Sequence, residues 1–232
     1  MHLKRINAPR DWAIKRKERK FIARPLPGPH ALDSCITLNN LIKEFLNQAK
    51  ISKEVKYILN NKKILINKVP RIDYRFPVGI MDIIEIPDLK LSYILLYNKK
   101  GKFFLNSVKD ASTKLCKIIG KKIQKKGKVQ INLNDGRNLL LDKNNYAVGD
   151  TLVIDLSNNK IKDHLKLDKD FFVYITGGSY KGNIGKLQKV IPGKDCEEPK
   201  IAFSEDKHNY TTLKKYAFVI GKDKPLIEVK NE

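Results

Sequence analysis

The sequence predicts an α+β protein built from several small modules: an extended basic N-terminal arm, a module of two helices plus a hairpin, a central β region and a C-terminal five-stranded β-barrel. Three observations predict this. Helical apolar spacing is confined to residues 38–59. Later apolar runs are short, several alternate with period two, and Gly, Asn and Asp turn signals separate them. The positive charge is gathered in two blocks instead of being mixed over the surface. With 232 residues and 41% apolar content, against about 45–50% for ordinary soluble domains, the chain supports cores divided among small units.

Residues 1–35 form the arm. Residues 1–30 hold nine Lys and Arg against two acids, a net +7. Periodicity is weak, and Pro25-Leu26-Pro27-Gly28-Pro29 favours extended, turn-broken backbone over helix. Such an arm is expected to order on contact with a phosphate-lined groove. Trp12, the single tryptophan, has two readings: stacking on a base, or plugging a pocket of the neighbouring domain.

Residues 36–95 read as two helices and short strands. Leu38, Leu41, Ile42, Phe45, Leu46 and Ala49 make one apolar stripe, with Thr37 as its N-cap. Ser52 is expected to cap a second helix carrying Val55, Ile58 and Leu59. A strand at Ile64–Ile66, a turn at Asn67-Lys68 and a strand from Ile80 to Ile86, opened by Gly79, complete the module.

Residues 96–167 look all-β. Lys114–Gln124 and Lys128–Asn134 alternate, and Asp135-Gly136 predicts a type I′ turn into Arg137–Leu141. Val148-Gly149-Asp150 leads into Thr151–Leu156, and Ser157-Asn158-Asn159 turns into Lys160–Leu165. Residues 168–221 offer strands at Phe171–Thr176, Lys186–Ile191, Ile201–Ser204 and Tyr216–Ile220, with glycines at 177, 178, 182 and 185. Close spacing and glycine turns suggest a small barrel. The glycines match no phosphate-binding motif, so they read as structural or, alternatively, as a phosphate cradle. Residues 222–232 are a tail.

The charge points to the partner. The balance is 47 Lys and Arg against 25 acids, a formal net charge of +22 and a pI near 9.8. A pI above about 9 marks a nucleic-acid footprint. A second block, residues 91–130, holds eleven Lys against one acid. Within it, Lys121 to Lys128 places five lysines in eight residues, which repel unless a polyanion neutralises them. Candidate nucleic-acid contacts in the arm are His2, Lys4, Arg5, Arg10, Trp12, Lys15, Arg16, Lys17, Arg19, Lys20, Arg24 and His30. The next module adds Lys53, Lys56, Lys62, Lys63, Lys68, Arg71 and Arg75. The central region adds Lys121, Lys122, Lys125, Lys126 and Lys128, and the last module Lys181.

Other classes are disfavoured. No apolar run approaches the roughly 20 residues of a membrane span, and no signal-peptide core follows the N-terminus. Cys35, Cys116 and Cys196 are far apart, which suggests reduced, mostly buried thiols and neither a disulfide framework nor a zinc site. The four histidines are scattered, and no hydrolase, Walker or metalloprotease pattern occurs. The expectation is a protein with no cofactor, no bound metal, no small-molecule substrate and no catalytic residues.

Several blocks resemble one family. His2-Leu3-Lys4-Arg5-Ile6-Asn7-Ala8-Pro9-Arg10-Asp11-Trp12, followed by Ile14 and Arg16, resembles the N-terminal signature of the four-e family of small-subunit ribosomal proteins of archaea and eukaryotes. Arg24–His30, Pro77–Asp82, Asn132–Gly136, Thr176-Gly177-Gly178 and Lys215–Gly221 are similar to later blocks of that family. The resemblance implies an alpha-L RNA-binding domain at about 36–95, a central β domain, and a KOW-type, SH3-like barrel at about 168–221. It also implies a cytoplasmic protein of the small ribosomal subunit, with ribosomal RNA and neighbouring ribosomal proteins as partners and no membrane. The chain ends soon after Gly221, as archaeal members do. Alpha-L domains also occur on RNA-modifying enzymes, and KOW barrels in transcription and translation factors. The former need a larger catalytic domain than residues 91–232 offer, and the latter lack the arm beginning at His2.

Overall fold

The computed structural model describes residues 2–226 except 109, 125, 126, 143, 144, 195, 206, 207 and 223. The fold is mixed, with few helices and many strands. It divides into two compact units. The first contains the chain through Tyr97 with Lys102–Lys114 and Leu156–Asn158; the second contains Asn98–Gly101, Leu115–Asp155 and the chain from Asn159 onward. Among the described residues no helix is long and apolar enough to cross a membrane.

The arm is folded, not extended. Strand β1 (Leu3–Lys4) pairs antiparallel with β2 (Phe21–Ile22), placing Lys4 opposite Phe21. Between them Trp12 is only 1% exposed, and its indole N–H donates to the Cys35 carbonyl at 2.7 Å. An indole of roughly 150–250 Å², buried at about 25 cal/mol per Å², contributes on the order of 4–6 kcal/mol. That term, invisible to periodicity, outweighs the disorder that the charge and prolines suggest. The Arg16 guanidinium then satisfies a backbone without ladder partners, donating to the carbonyls of Ile6, Ala8 and Pro9 at 3.2, 2.7 and 2.8 Å.

Beyond the arm, β3 (Cys35–Thr37) pairs with β6 (Pro77–Gly79). Helix α1 (Leu38–Asn40) is capped as expected, the Thr37 hydroxyl accepting from the Asn40 N–H at 3.3 Å. It continues as a π-helix, Leu41–Phe45, in which the Leu46 N–H reaches the Leu41 carbonyl. The stripe does not run on helically to Ala49, because Asn47 takes φ 52° and ends the helix. Helix α2 (Ser52–Asn60) buries Val55 and Leu59. Ser52 is its first helical residue, not its cap; the Glu54 carboxylate accepts instead from the Lys50 and Ile51 N–H groups at 2.7 and 3.2 Å.

Strands β4 (Leu65–Ile66) and β5 (Val69–Pro70) flank Asn67 and Lys68, both at positive φ, as a type I′ turn requires. The strand expected from Ile80 to Ile86 is interrupted. Met81 adopts φ 66°, so the chain breaks into β6 and β7 (Ile83–Ile86) and turns Asp82 inward. Strands β8 (Leu91–Tyr97) and β9 (Phe103–Ser107) complete a sheet of order β5-β4-β7-β8-β9.

The second unit holds two five-stranded antiparallel sheets. One has the order β12-β11-β10-β13-β14, from β10 (Thr113–Ile123), β11 (Val129–Leu133), β12 (Asn138–Leu141), β13 (Thr151–Asp155) and β14 (Ile161–Leu165). Its core gathers Cys116, Ile118, Val129, Ile131, Leu133, Leu152 and Ile154. The Asp135-Gly136 turn is not type I′. The Gly136 N–H meets the Leu133 carbonyl and only Gly136 has positive φ, so residues 134–136 form a three-residue loop with glycine in the left-handed position.

The other sheet has the order β18-β17-β16-β15-β19, from β15 (Phe172–Ile175), β16 (Ile184–Ile191), β17 (Lys200–Glu205), β18 (His208–Leu213) and β19 (Ala217–Gly221). Strand β18 carries few large apolar residues and so has no apolar pattern in the sequence. The glycines act in packing: a Cβ at Gly177 would overlap the Tyr216 ring, and one at Gly182 the Asn98 carbonyl. Of the cysteines, Cys35 and Cys116 are buried and Cys196 is exposed.

Candidate nucleic-acid interface

The first unit carries a groove of about 900 Å³ between the arm and the segment before β6. Its walls include His2, Phe21, Arg24, Pro27, Tyr74 and Arg75, and among the described residues no carboxylate lines it. The arm reaches this place because the Leu26 N–H donates to the Arg75 carbonyl at 3.0 Å, anchoring the proline stretch along that segment. On the ribbon β1–β2, register puts Lys4 beside Phe21, which is 51% exposed. The Lys20 ammonium lies 5.5 Å from the Phe21 ring centre, and the His2 ring 5.6 Å away at 48°. Across the groove Tyr74 is flanked by the Lys56 ammonium at 4.8 Å and the Arg75 guanidinium at 5.6 Å.

The structure sorts the arm's candidates. Lys4, Arg10, Lys15, Lys17, Arg19 and Lys20 are exposed, as is His2, and Arg24 is half-buried in the groove. Three candidates are turned inward. Arg5 is buried and donates to the Lys15 carbonyl at 2.6 Å, to Glu44 at 2.7 Å and to Glu18 at 3.4 Å. Trp12 has no free face for a base, so its pocket-plugging reading is the observed one. The His30 ring faces Asp82 at 3.0 Å and forms part of the groove floor. Arg16 is half-buried and occupied with carbonyls.

On the next module Lys53, Lys56, Lys62 and Lys63 are exposed on or just after α2. Lys63 pairs with Asp88 at 3.1 Å and Lys68 with Glu85 at 2.7 Å, so both reach outward with part of their charge already balanced. The Arg71 guanidinium stacks on Phe76 at 4.6 Å. Arg75 lies 3.9 Å from Asp73.

In the second unit the basic run divides by strand alternation. Lys121 points back to the Tyr146 carbonyl at 2.7 Å, while Lys122 is exposed on the other face. Lys122 stands opposite Gln130, which joins an amide ladder: Gln124 donates to Gln130 at 2.7 Å, and Gln130 to Asn132 at 3.0 Å. Lys128 is exposed, 4.0 Å from Asp142. Lys125 and Lys126 lie outside the described residues. Lys181 is half-buried beside Gly101.

The buried titratable centre beside the groove organises the fold. Asp82 accepts from Lys114 at 2.7 Å, Gly79 N–H at 2.8 Å, Asn67 at 2.9 Å and His30 at 3.0 Å. Gly79 must be glycine here, because a Cβ would overlap the His30 ring. Burial raises the Asp82 carboxyl, but the Lys114 ammonium and His30 more than offset it and hold it well below the usual carboxylate range. The Lys114 and Asp82 side chains are 0% and 2% exposed. Among the described residues no group of three or more His, Cys, Asp or Glu is placed to hold a metal.

Fold and surface together define a class: a basic, β-rich protein whose exposed cations and aromatic rings suit a polyanion with stackable groups. Comparison with known proteins narrows it. The family model "Ribosomal family S4e" matches residues 89–161, and the RS4NT (NUC023) domain model matches residues 1–33. The chain is 37% identical over 230 residues to the small ribosomal subunit protein eS4 of Methanosphaera stadtmanae, covering 98% of this chain and 95% of that one. It is 37% identical over 232 residues to the eS4 protein of Archaeoglobus fulgidus, covering 99% and 98%. The crystal structure of the 30S ribosomal protein S4e from Thermoplasma acidophilum superposes with a TM-score of 0.72 at 30% identity, covering 82% of this chain and 96% of that one. The chain belongs to the S4e family of ribosomal proteins.

Proposed function

We propose that the protein is a structural, non-enzymatic constituent of the small ribosomal subunit in the cytoplasm, where it binds ribosomal RNA and abuts neighbouring ribosomal proteins. The observation that carries this is the acid-free groove with its rim of exposed cations, in a chain of +22 formal charge. Cations supply phosphate affinity and position, while shape selects the RNA. The two helices and hairpin within 36–95 support reading that stretch as an alpha-L RNA-binding module. The sheet β15–β19 supports a KOW-type, SH3-like module at 168–221.

The contacts proposed are His2, Lys4, Arg10, Lys15, Lys17, Arg19, Lys20 and Arg24 on the arm, then Lys53, Lys56, Lys62, Lys63, Lys68 and Arg75. Lys122 and Lys128 follow in the second unit. Arg5, Trp12 and His30 act by holding the arm in place. The test is twofold. The full chain is titrated with a small-subunit ribosomal RNA transcript and with a random duplex, and its sedimentation is followed in cell lysate. Preference for the transcript and co-sedimentation with the small subunit are expected. Equal affinity for both RNAs, with the protein free or in a polymerase fraction, overturns the proposal.

A further inference from the structure

We propose that the groove beside β1–β2 takes an unstacked, single-stranded stretch of RNA, with a base stacked on Phe21 and its neighbouring phosphates held by Lys4, Lys20 and Arg24. The inference deepens the RNA-binding reading above and rests on it.

Phe21 is a large apolar ring left 51% exposed on a two-stranded ribbon, in a chain that buries its other arm aromatic. It was not legible as a site, because Lys20-Phe21-Ile22 reads as any short strand. Its surroundings are specific. Lys4 sits opposite it, Lys20 over it and His2 beside it. A phenyl ring offers a face that any base can stack on, and it cannot hydrogen-bond a phosphate. Cations alone would serve a duplex, whose bases present no free faces. The combination of an exposed ring, cations around it and a recess of about 900 Å³ without carboxylates favours a strand whose bases are splayed. The recess also has a closely packed wall. Gly28 packs on Pro77, so its backbone approaches closely, and the Leu26 N–H is fixed on Arg75. The amide ladder of β10–β11, with Lys122, has no aromatic ring among its described side chains and is assigned to duplex contact.

The experiment uses the full chain and two RNAs of equal length, a uridine-rich single strand and a duplex. Phe21→Ala is expected to weaken single-strand binding about five- to a hundred-fold and to leave duplex binding within twofold, while Phe21→Trp restores it. Lys122→Ala is expected to do the reverse, weakening the duplex arm only. Photocrosslinking of a bromouridine-substituted strand is expected to mark residues 2–4, 20–24 or 74–75. If Phe21→Ala leaves the single-strand affinity unchanged while the wild type binds the duplex, the groove assignment is wrong and the RNA-binding reading stands. If the wild type binds neither RNA, both are overturned.

Discussion

The Lys114 ammonium lies 2.7 Å from Asp82 Oδ1, with both side chains almost wholly withdrawn from water. Two charges in such a place are stable only because each is the other's solvent, with Asn67, Gly79 and His30 completing the carboxylate's shell. The pair ties together the end of the proline arm, the Asn67 turn, the Met81 bend and the start of β10.

Removing one partner strands the other charge. Lys114→Met is therefore expected to destabilise the protein by about 3–5 kcal/mol in urea unfolding at pH 7. A loss below about 1 kcal/mol would show that the charges are better solvated than the distances say. The pH sign follows from the direction of the Asp82 shift. Its folded value is depressed, so the stability it contributes is fully present above the unfolded value of about 4 and fades as pH falls below that. Asp82→Asn should flatten the acid limb of the stability profile.

Trp12 provides a second test, because it is the sole tryptophan and is buried against the Cys35 carbonyl. Native protein without RNA should emit at short wavelength and resist quenching by iodide. Trp12→Ala should cost about 3–5 kcal/mol and expose the Arg16–Arg24 stretch to trypsin. Red-shifted emission in the free wild type would mean that the arm docks only on RNA.

The thiols should separate cleanly. Burial, aided by the Asp33 and Asp82 charges, pushes the Cys35 thiol up to about 12, and Cys116 is buried, whereas Cys196 is exposed. One equivalent of a thiol reagent should react at pH 8 in native protein and three after unfolding. Cys196→Ser should abolish the native reaction.

Lys117 runs opposite to Asp82. Burial, with Lys214 nearby, lowers its ammonium to about 8, while its Nζ donates to the Lys215 carbonyl at 2.8 Å. A lysine with a folded value below its unfolded value of about 10.4 holds its proton less well when folded. Its charge therefore penalises folding below pH 8, and the penalty lifts between pH 8 and about 10.4. Lys117→Met should accordingly gain stability relative to wild type at pH 7, with the gain shrinking by pH 10. A gain that does not change over that range would argue against the shift.

What the sequence disclosed and what it hid have separate physical causes. The Thr37 cap, the Asn67-Lys68 turn and the period-two burial of β11 are local, set by residues within a few positions. They were legible. The docked arm was not, because Trp12, Arg5 and Arg16 act through carbonyls and carboxylates that no periodicity reveals. The break at Met81 is likewise imposed from a distance, by Asp82 turning toward Lys114, which is 32 positions away. Charge blocks located the candidate interface but could not say which cations face out. That took the strand register that separates Lys121 from Lys122, and the ion pairs that occupy Lys63 and Lys68.

That distinction predicts how the salt dependence of RNA binding divides among the lysines. Each phosphate neutralised on a duplex adds roughly 0.9 to the magnitude of the slope of log affinity against log salt. A lysine already paired with a carboxylate trades one partner for another and releases less. Lys53, Lys56 and Lys62 are exposed on the face of α2 and just beyond it, whereas Lys63 and Lys68 sit on Asp88 and Glu85. Changing Lys53, Lys56 and Lys62 together to alanine should therefore flatten the slope by about two to three, and changing Lys63 and Lys68 by less than one. In the second unit Lys122→Ala should remove close to a full contact. Lys121→Ala should leave the slope nearly unchanged and instead loosen the Tyr146 segment that it holds. Salt titrations of the four variants on one RNA decide the matter. Equal slope changes for Lys121→Ala and Lys122→Ala would mean that Lys121 leaves the Tyr146 carbonyl when RNA binds, and that strand alternation does not set which lysines meet phosphate.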